Sequence, residues 1–234
     1  MKEVIADIGC GQKNNLSLYG FEGVPTIAVD FNNIFLQRRR NGNIGGNLVQ
    51  ADATGLPIKT ASVNHIFATH VLEHVDNLNC TINEIDRVLK PGGKVTVAVP
   101  HPRYESVMRR LDNDYCSPKM HRRVIAPEEL VKLLEEKGYG IIRQTTRGFA
   151  AAVHISLSYF LHRRLLNDRT MEPHSGYLVS ENGENQLNRG ALRNPLIDSL
   201  IRRILQAPIF SVMNRLYPFE TFIQAAKNRR DETI

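Results

Sequence analysis

The chain has 234 residues, 42% of them hydrophobic and 23% charged, with three cysteines and a formal charge of +6. That length suits one globular domain with an elaboration; no apolar run reaches the ~20 residues of a membrane-spanning helix, and Cys10, Cys80 and Cys116 are too few and too scattered for a disulfide framework or a zinc site. Met1-Lys2-Glu3 leads straight into strand residues rather than a signal peptide, so the expectation is a soluble cytoplasmic protein with reduced thiols.

In chain order, Val4-Ile5-Ala6-Asp7-Ile8-Gly9-Cys10-Gly11 is a run of strand residues that ends in an acid and two glycines one residue apart. A chain leaving a strand through glycines exposes bare backbone N–H groups, and in an open α/β sheet ligands lie just beyond the carboxyl ends of the strands. Thr26-Ile27-Ala28-Val29 is a second buried strand ending in Asp30, 19 residues after Gly11, where a carboxylate accepts ribose hydroxyls. Asn47-Leu48-Val49-Gln50-Ala51 is a third, ending in Asp52, whose acid suits the exocyclic amine of an adenine. Between them, Asn32 or Asn33 caps a short helix from Ile34 to Arg40, and Arg38-Arg39-Arg40 reads as a structural run at its end, where cations suit the helix dipole.

Taken with Leu72-Glu73-His74 after a fourth strand, Val63 to Thr69, and with Pro91-Gly92-Gly93-Lys94, the motif Asp7-Ile8-Gly9-Cys10-Gly11 resembles the class I S-adenosylmethionine-dependent methyltransferases, in the Asp-x-Gly-x-Gly and Leu-Glu-His branch of the methyltransferase type 11 kind. The resemblance covers about residues 4–100. It implies an α/β fold, a Rossmann-like doubly wound seven-stranded sheet with an antiparallel last strand, and S-adenosylmethionine as cofactor. It implies cofactor-binding roles for Asp7, Gly9, Cys10, Gly11, Asp30, Phe31, Asp52, Ala53, Thr69 and His70. Where family members often have a third glycine, this chain has Lys13, so the segment Gln12 to Asn15 is expected to take a different course or leave only a short first helix.

The segment after the fourth strand passes beside the methionine part of the cofactor in that family, which puts His70 nearest the methyl group. A histidine there suits a general base, since its ordinary pKa of about 6.5 lets it take a proton at neutral pH; the alternative is that it only caps the next helix or lines the cofactor. His74, on the first turn of that helix, is expected to bond a neighbouring loop, and Glu73 to brace the pocket. Leu78 to Leu89 reads as a scaffold helix with Glu84, Asp86 and Arg87 outward, stopped by Lys90-Pro91-Gly92-Gly93, and Lys94 to Val99 as a fifth strand. Beyond it, His101 and Tyr104 are a second pair of catalytic or acceptor-binding candidates, with Arg103 suited to an anionic acceptor.

Pro127 to Tyr139 is an amphipathic helix with Pro at its start and Gly138 at its stop. Ile141 to Thr146 is a sixth strand, and Glu220 to Ala226 a seventh. The division that follows is 1–147 for the cofactor-binding core, 148–218 for a helical lid or substrate insertion, and 219–234 for the last strand and tail. The insertion holds an apolar stretch ending in Leu161-His162-Arg163-Arg164, a polar loop with Pro173, Gly176, Asn182 and Gly183, and an amphipathic stretch from Pro195 to about Tyr217. Two readings fit that last stretch: a lid packed over the sheet, or a basic amphipathic surface that meets anionic lipid.

Residues 1–100 hold nine Lys/Arg and nine Asp/Glu, residues 101–149 ten and seven, and residues 150–234 eleven and eight. The positive excess therefore lies outside the nucleotide half, which suits an anionic substrate or surface, or only a solvated face. The reading reached is a methyltransferase acting on a small or lipid-like acceptor, anionic ones included, without a bound metal. An RNA or protein methyltransferase, a non-catalytic binder of the cofactor and a nicotinamide-dependent oxidoreductase are the rivals. DNA is disfavoured, because the Asn/Asp-Pro-Pro-Tyr/Phe signature of planar-nitrogen methylation is absent after the fourth strand, and oligomeric state is left open.

Overall fold

A computed structural model describes residues 3–11, 16, 21, 24–44, 46–111, 121–149, 152–153, 156, 177–179, 185–187 and 217–228. The chain divides into two compact units, one of residues 1–99, 125–145 and 222–234, the other of residues 100–124 and 146–221. Nine strands and four helices lie among the described residues: β1 Ile5–Ile8, β2 Thr26–Asp30, α1 Asn33–Asn41, β3 Asn47–Gln50, β4 Val63–Thr69, α2 Leu78–Val88, β5 Leu89–Pro100, α3 Pro102–Leu111, α4 Pro127–Glu136, β6 Tyr139–Arg147, β7 Tyr177–Val179, β8 Asn185–Leu187 and β9 Glu220–Lys227.

Seven strands form one sheet in the order β3-β2-β1-β4-β5-β9-β6. The first five run parallel. β9 lies antiparallel to β6, as the bonds Phe219 N to Arg147 O and Asn228 N to Gly138 O require. This is the α/β sheet that the resemblance implies, with the last strand slotted in reversed. Parallel strands are covered on both faces and so read as continuous apolar runs, and Ile5, Ala6, Ile66, Phe67, Ala68, Val95 and Val97 are all buried.

α2 buries Leu78, Ile82, Ile85 and Val88 against this core, as its spacing predicts. Its polar residues are not simply outward, however. Arg87 bonds Glu84 at 2.7 Å through both Nε and Nη2 and also donates to the carbonyls of Leu56 and Ile58, so the turn Leu56-Pro57-Ile58 is stitched to the helix. Lys227 on β9 donates to the Asp86 carbonyl at 2.6 Å and forms an ion pair with its Oδ1 at 2.8 Å.

Three sequence expectations need correction. Leu89 is strand rather than helix, and Pro91-Gly92-Gly93 is carried inside β5 as a bulge: the pairing with β4 jumps from Val63 with Leu89 to His65 with Lys94, and Gly92 takes φ +75. Pro102–Leu111 is a helix, where the sequence reading placed acceptor-facing residues without assigning an element. In the insertion, the polar loop contains an antiparallel ribbon, with Tyr177 opposite Leu187 and Val179 opposite Asn185. The stretches 12–15, 157–164 and 195–216, on which the Lys13, lid and lipid readings rest, lie outside the described residues.

His65 illustrates what the both-faces-buried sheet does to a polar side chain. Its ring stacks on Phe67 at 4.2 Å and its Nε2 lies 2.8 Å from Thr96 Oγ1. Burial, aided by Lys94, pushes its pKa down to about 4. The folded protein thus holds this ring neutral where an unfolded chain would already bind a proton, so stability is full above the ordinary histidine pKa and falls as pH drops from about 6.5 to about 4. Denaturant unfolding at pH 7 and pH 4.5 is expected to show this loss, at most about 3 kcal/mol from His65, and the His65→Asn variant to lose less across the same interval.

Candidate active site

The site lies in the first unit, at the carboxyl edge of β1, β2, β3 and β4. β1 ends at Ile8, paired with Val29 on one side and Ala68 on the other; carrying that register one residue further sets Gly9 level with Asp30 and Thr69. Gly9 takes φ +68 and Gly11 φ +56, both left-handed values that favour glycine. Their surroundings differ. A Cβ on Gly9 would lie 2.6 Å from Val71 Cβ and Cγ2, whereas one on Gly11 would meet nothing within 4 Å among the described residues. Gly9 lets the loop pack against the segment after β4, and Gly11 meets no such neighbour.

The loop is held from several directions. Cys10 N donates to Val29 O at 2.9 Å. Gly11 N donates to Asp30 Oδ2 at 2.8 Å, and Asn32 N donates to the other carboxylate oxygen at 2.8 Å. Asn32 in turn caps α1, its side chain accepting from Ile34 N at 2.9 Å. Cys10 keeps its proton, because burial and then the nearby Asp7 push the thiol up to about 12; its part in the loop is played by the backbone.

Beneath the loop, Asp7 is buried, and its Oδ2 accepts no hydrogen bond among the described residues. Arg39 Nη1 is 3.7 Å from it, an ion pair longer than a hydrogen bond. Burial raises Asp7 to about 7, Arg39 opposing the rise and Asp30 adding to it. Sequence reasoning had assigned Arg39 to the helix end, with its two neighbours. It is instead buried, 1% exposed, while Arg38 and Arg40 face solvent. The available signal was its position three residues after the buried Leu36 on the same face of α1.

Past β3, Asp52 is exposed, and its Oδ1 accepts from Thr54 N at 2.8 Å and Thr54 Oγ1 at 2.7 Å. Ala53 is buried, and the ring of Phe31 is 74% exposed just after Asp30. Beyond β4, His70 is one of three described non-glycine residues with positive φ, at +53, and its N donates to Ala98 O at 2.8 Å. Such a backbone, held by its surroundings, is a form of strain that collects at functional sites. His70 Nδ1 lies 3.5 Å from Glu73 Oε1, and His74 Nε2 3.9 Å from the same oxygen. Glu73 is buried between the two imidazoles. His74 sits in a turn before α2, not on its first turn: α2 starts at Leu78, with Asn77 accepting from Cys80 N as the cap.

His101 and Tyr104 belong to the second unit. His101 is half-buried, and its Nδ1 accepts from Arg103 N at 3.1 Å. Tyr104 is fully buried, with its ring edge-on to Phe219 at 4.9 Å, a packing position. The same unit holds two buried pairs, His121 Nδ1 to Glu105 Oε1 and Arg147 Nε to Glu220 Oε1, each at 2.5 Å.

The glycine loop, Asp7 within β1, Asp30 at the end of β2 and Asp52 just past β3 thus lie at the carboxyl ends of three neighbouring parallel strands, the edge at which open α/β sheets bind ligands. Residues 6–97 match the family model described as a methyltransferase domain, in line with the resemblance carried by the glycine motif. Among curated proteins, the chain is 33% identical over 90 residues to a malonyl-[acyl-carrier protein] O-methyltransferase of Methylococcus capsulatus, a match covering 37% of this chain and 33% of that protein. It is 29% identical over 136 residues to a demethylmenaquinone methyltransferase of Clavibacter sepedonicus, covering 56% and 52%. The chain thus spans a third to about half the length of these relatives. A methyltransferase structure from Archaeoglobus fulgidus aligns over 97% of this chain and 86% of its own, with TM-score 0.59 and 18% identity, a likeness of fold.

Proposed function

We propose that the first unit binds S-adenosylmethionine at this edge of the sheet and that the chain transfers the methyl group to a small or lipid-like acceptor. The observation that supports it most is the placement of Asp7, Asp30 and Asp52 at the carboxyl ends of three neighbouring strands, around a loop whose Gly11 meets no other described residue. Asp30 suits the ribose hydroxyls: each oxygen accepts one backbone N–H and keeps a second lone pair. Asp52 has one oxygen fixed by Thr54 and offers the other to the adenine amine, beside the exposed ring of Phe31. Asp7, with its buried acceptor oxygen, suits the cationic amino end of the ligand.

When bound, the sulfonium supplies an electrophilic methyl group, so the chain's residues have to orient an acceptor atom in line and exclude water. His70 is the candidate base: its strained backbone fixes the ring, and Glu73 beside Nδ1 favours a proton on that nitrogen, leaving Nε2 to take one from the acceptor. His101 is retained as an acceptor-binding candidate on its sequence position; burial makes Tyr104 the weaker one. The similarity to a malonyl-[acyl-carrier protein] O-methyltransferase and to a demethylmenaquinone methyltransferase supports a small or lipid-like acceptor. The positive excess beyond residue 100 supports the second reading, an RNA acceptor, which salt-sensitive retardation of RNA in a gel would favour.

Calorimetric titration with S-adenosylmethionine, NAD⁺ and NADP⁺ in parallel tests the cofactor. Saturable binding of the first alone is expected; binding of a nicotinamide nucleotide instead would overturn the reading. In the same assay Asp30→Ala is expected to weaken binding at least tenfold, since charge-assisted bonds are worth about 1.5–3 kcal/mol each. Unchanged affinity would remove Asp30 from the site.

A further inference from the structure

α1 carries three arginines in a row, and the helical period turns only the middle one inward. A guanidinium in a core position costs free energy unless charged and polar partners meet it. The partners of Arg39 include Cys10 O, which accepts from Nη1 at 3.0 Å, and Asp7 Oδ2, at 3.7 Å from the same nitrogen. Both belong to the cofactor loop or its strand, about thirty residues earlier in the chain. The loop Gly9-Cys10-Gly11 is therefore gripped on three sides: by β2 at Cys10 N, by Asp30 at Gly11 N and by Arg39 at Cys10 O. A loop with left-handed backbone at Gly9 and Gly11 has many alternatives available to it, and holding it in one shape before the ligand arrives lowers the ordering cost of binding.

We infer that Arg39 is a positioning residue of the cofactor site: it clamps the Cys10 carbonyl so that the glycine loop keeps its shape, and its guanidinium, 3.7 Å from Asp7 Oδ2, favours the carboxylate that receives a cationic ligand group. The ligand's identity rests on the methyltransferase reading; the clamp does not. Among the described residues, the charged and titratable groups around Asp7 are Arg39 from α1, Asp30 from β2 and the Cys10 thiol of the loop. Arg39 is the one that favours the carboxylate, and Asp30 opposes it. Without Arg39 the carboxyl takes up a proton at higher pH, so binding of a cation there falls away earlier on acidification.

The test is calorimetry between pH 6 and 9 on the wild type, Arg39→Met and Arg39→Lys, with S-adenosylmethionine and with 5′-methylthioadenosine, which lacks the amino-acid end. Arg39→Met is expected to raise the Kd of both ligands tenfold or more through the loosened loop. It is also expected to move the acid fall-off of S-adenosylmethionine binding upward by a pH unit or more. Arg39→Lys keeps the charge, so its fall-off should stay near that of the wild type. A residue with a merely structural part would not move the pH profile. If Arg39→Met does not fold, the Asp7→Asn/Arg39→Met protein removes both charges together and is read with 5′-methylthioadenosine alone. Wild-type Kd and wild-type fall-off in Arg39→Met, or wild-type Kd for 5′-methylthioadenosine in the double variant, would overturn the inference. Failure of the wild type to bind S-adenosylmethionine would instead count against the methyltransferase reading. The clamp is then read by amide exchange at Gly11, which should be protected in the wild type and faster in Arg39→Met; equal rates would overturn it.

Discussion

Gly9→Ala is expected to lower the stability of the protein by about 2–4 kcal/mol and to weaken S-adenosylmethionine binding more than tenfold. Two independent penalties combine. The added Cβ would stand 2.6 Å from two carbons of Val71, a branched side chain with no flexible end to give way, and the backbone at φ +68 is strained for any residue with a Cβ. Relief requires the loop after β1 and the segment after β4 to move apart, and that segment carries His70. Gly11→Ala shares the backbone penalty but meets no atom of the described residues, so it should leave stability within about 1–2 kcal/mol of the wild type while still weakening ligand binding. Thermal melts and calorimetry on the two variants separate these effects. Equal melting temperatures for Gly9→Ala and the wild type would mean that the contact with Val71 is not tight.

Glu220→Ala is expected to have an effect of similar size by another route. Arg147 and Glu220 join the end of β6 to the start of β9, their side chains 2% and 4% exposed, next to the backbone bond from Phe219 N to Arg147 O. Removing one partner of a buried ion pair costs about 3–5 kcal/mol, because the other charge keeps its desolvation penalty. Replacing both residues with apolar ones of similar volume, Arg147→Met with Glu220→Leu, should restore most of that loss. Denaturant midpoints for the single and double variants measure it. A double variant as unstable as the single one would show that the pair has been misjudged and that packing at this position dominates.

The sheet and the cofactor loop were legible because their signals are local. Val63–Thr69 appears in the structure with the bounds that its apolar run suggested, and Asn32 caps α1 through the Asn-x-x pattern that capping requires. Asp30 came from a spacing rule, and it does meet the glycine loop. What was missed depends on contacts between residues far apart in sequence. The helical period sets Arg39 apart from Arg38 and Arg40, three residues after Leu36, but its partners Asp7 and Cys10 come into view only when α1 is laid against β1. Arg87 looked like a surface residue of an amphipathic helix, yet its fork is filled by carbonyls about thirty residues away. Lys90-Pro91-Gly92-Gly93 was read as the stop of a helix because Pro and Gly end helices; the chain instead carries it inside β5 as a bulge, α2 having ended at Val88. The ribbon of β7 and β8 is short and lies in a segment rich in polar residues, where the period-two signal has little to work with.

The slot filled by β9 has a consequence for how the protein is made. β5 and β6 are complete once about 147 residues exist, but neither can pair with the other, since the place between them belongs to residues 220–227. Until that segment emerges, both strands present unpaired edges of the kind that recruit foreign strands. Closing the sheet then joins residues more than seventy positions apart, a contact that is slow to form. The nascent chain therefore carries an open seam in its sheet from the time β6 is made until residues 220–227 emerge, and this interval favours aggregation or chaperone capture.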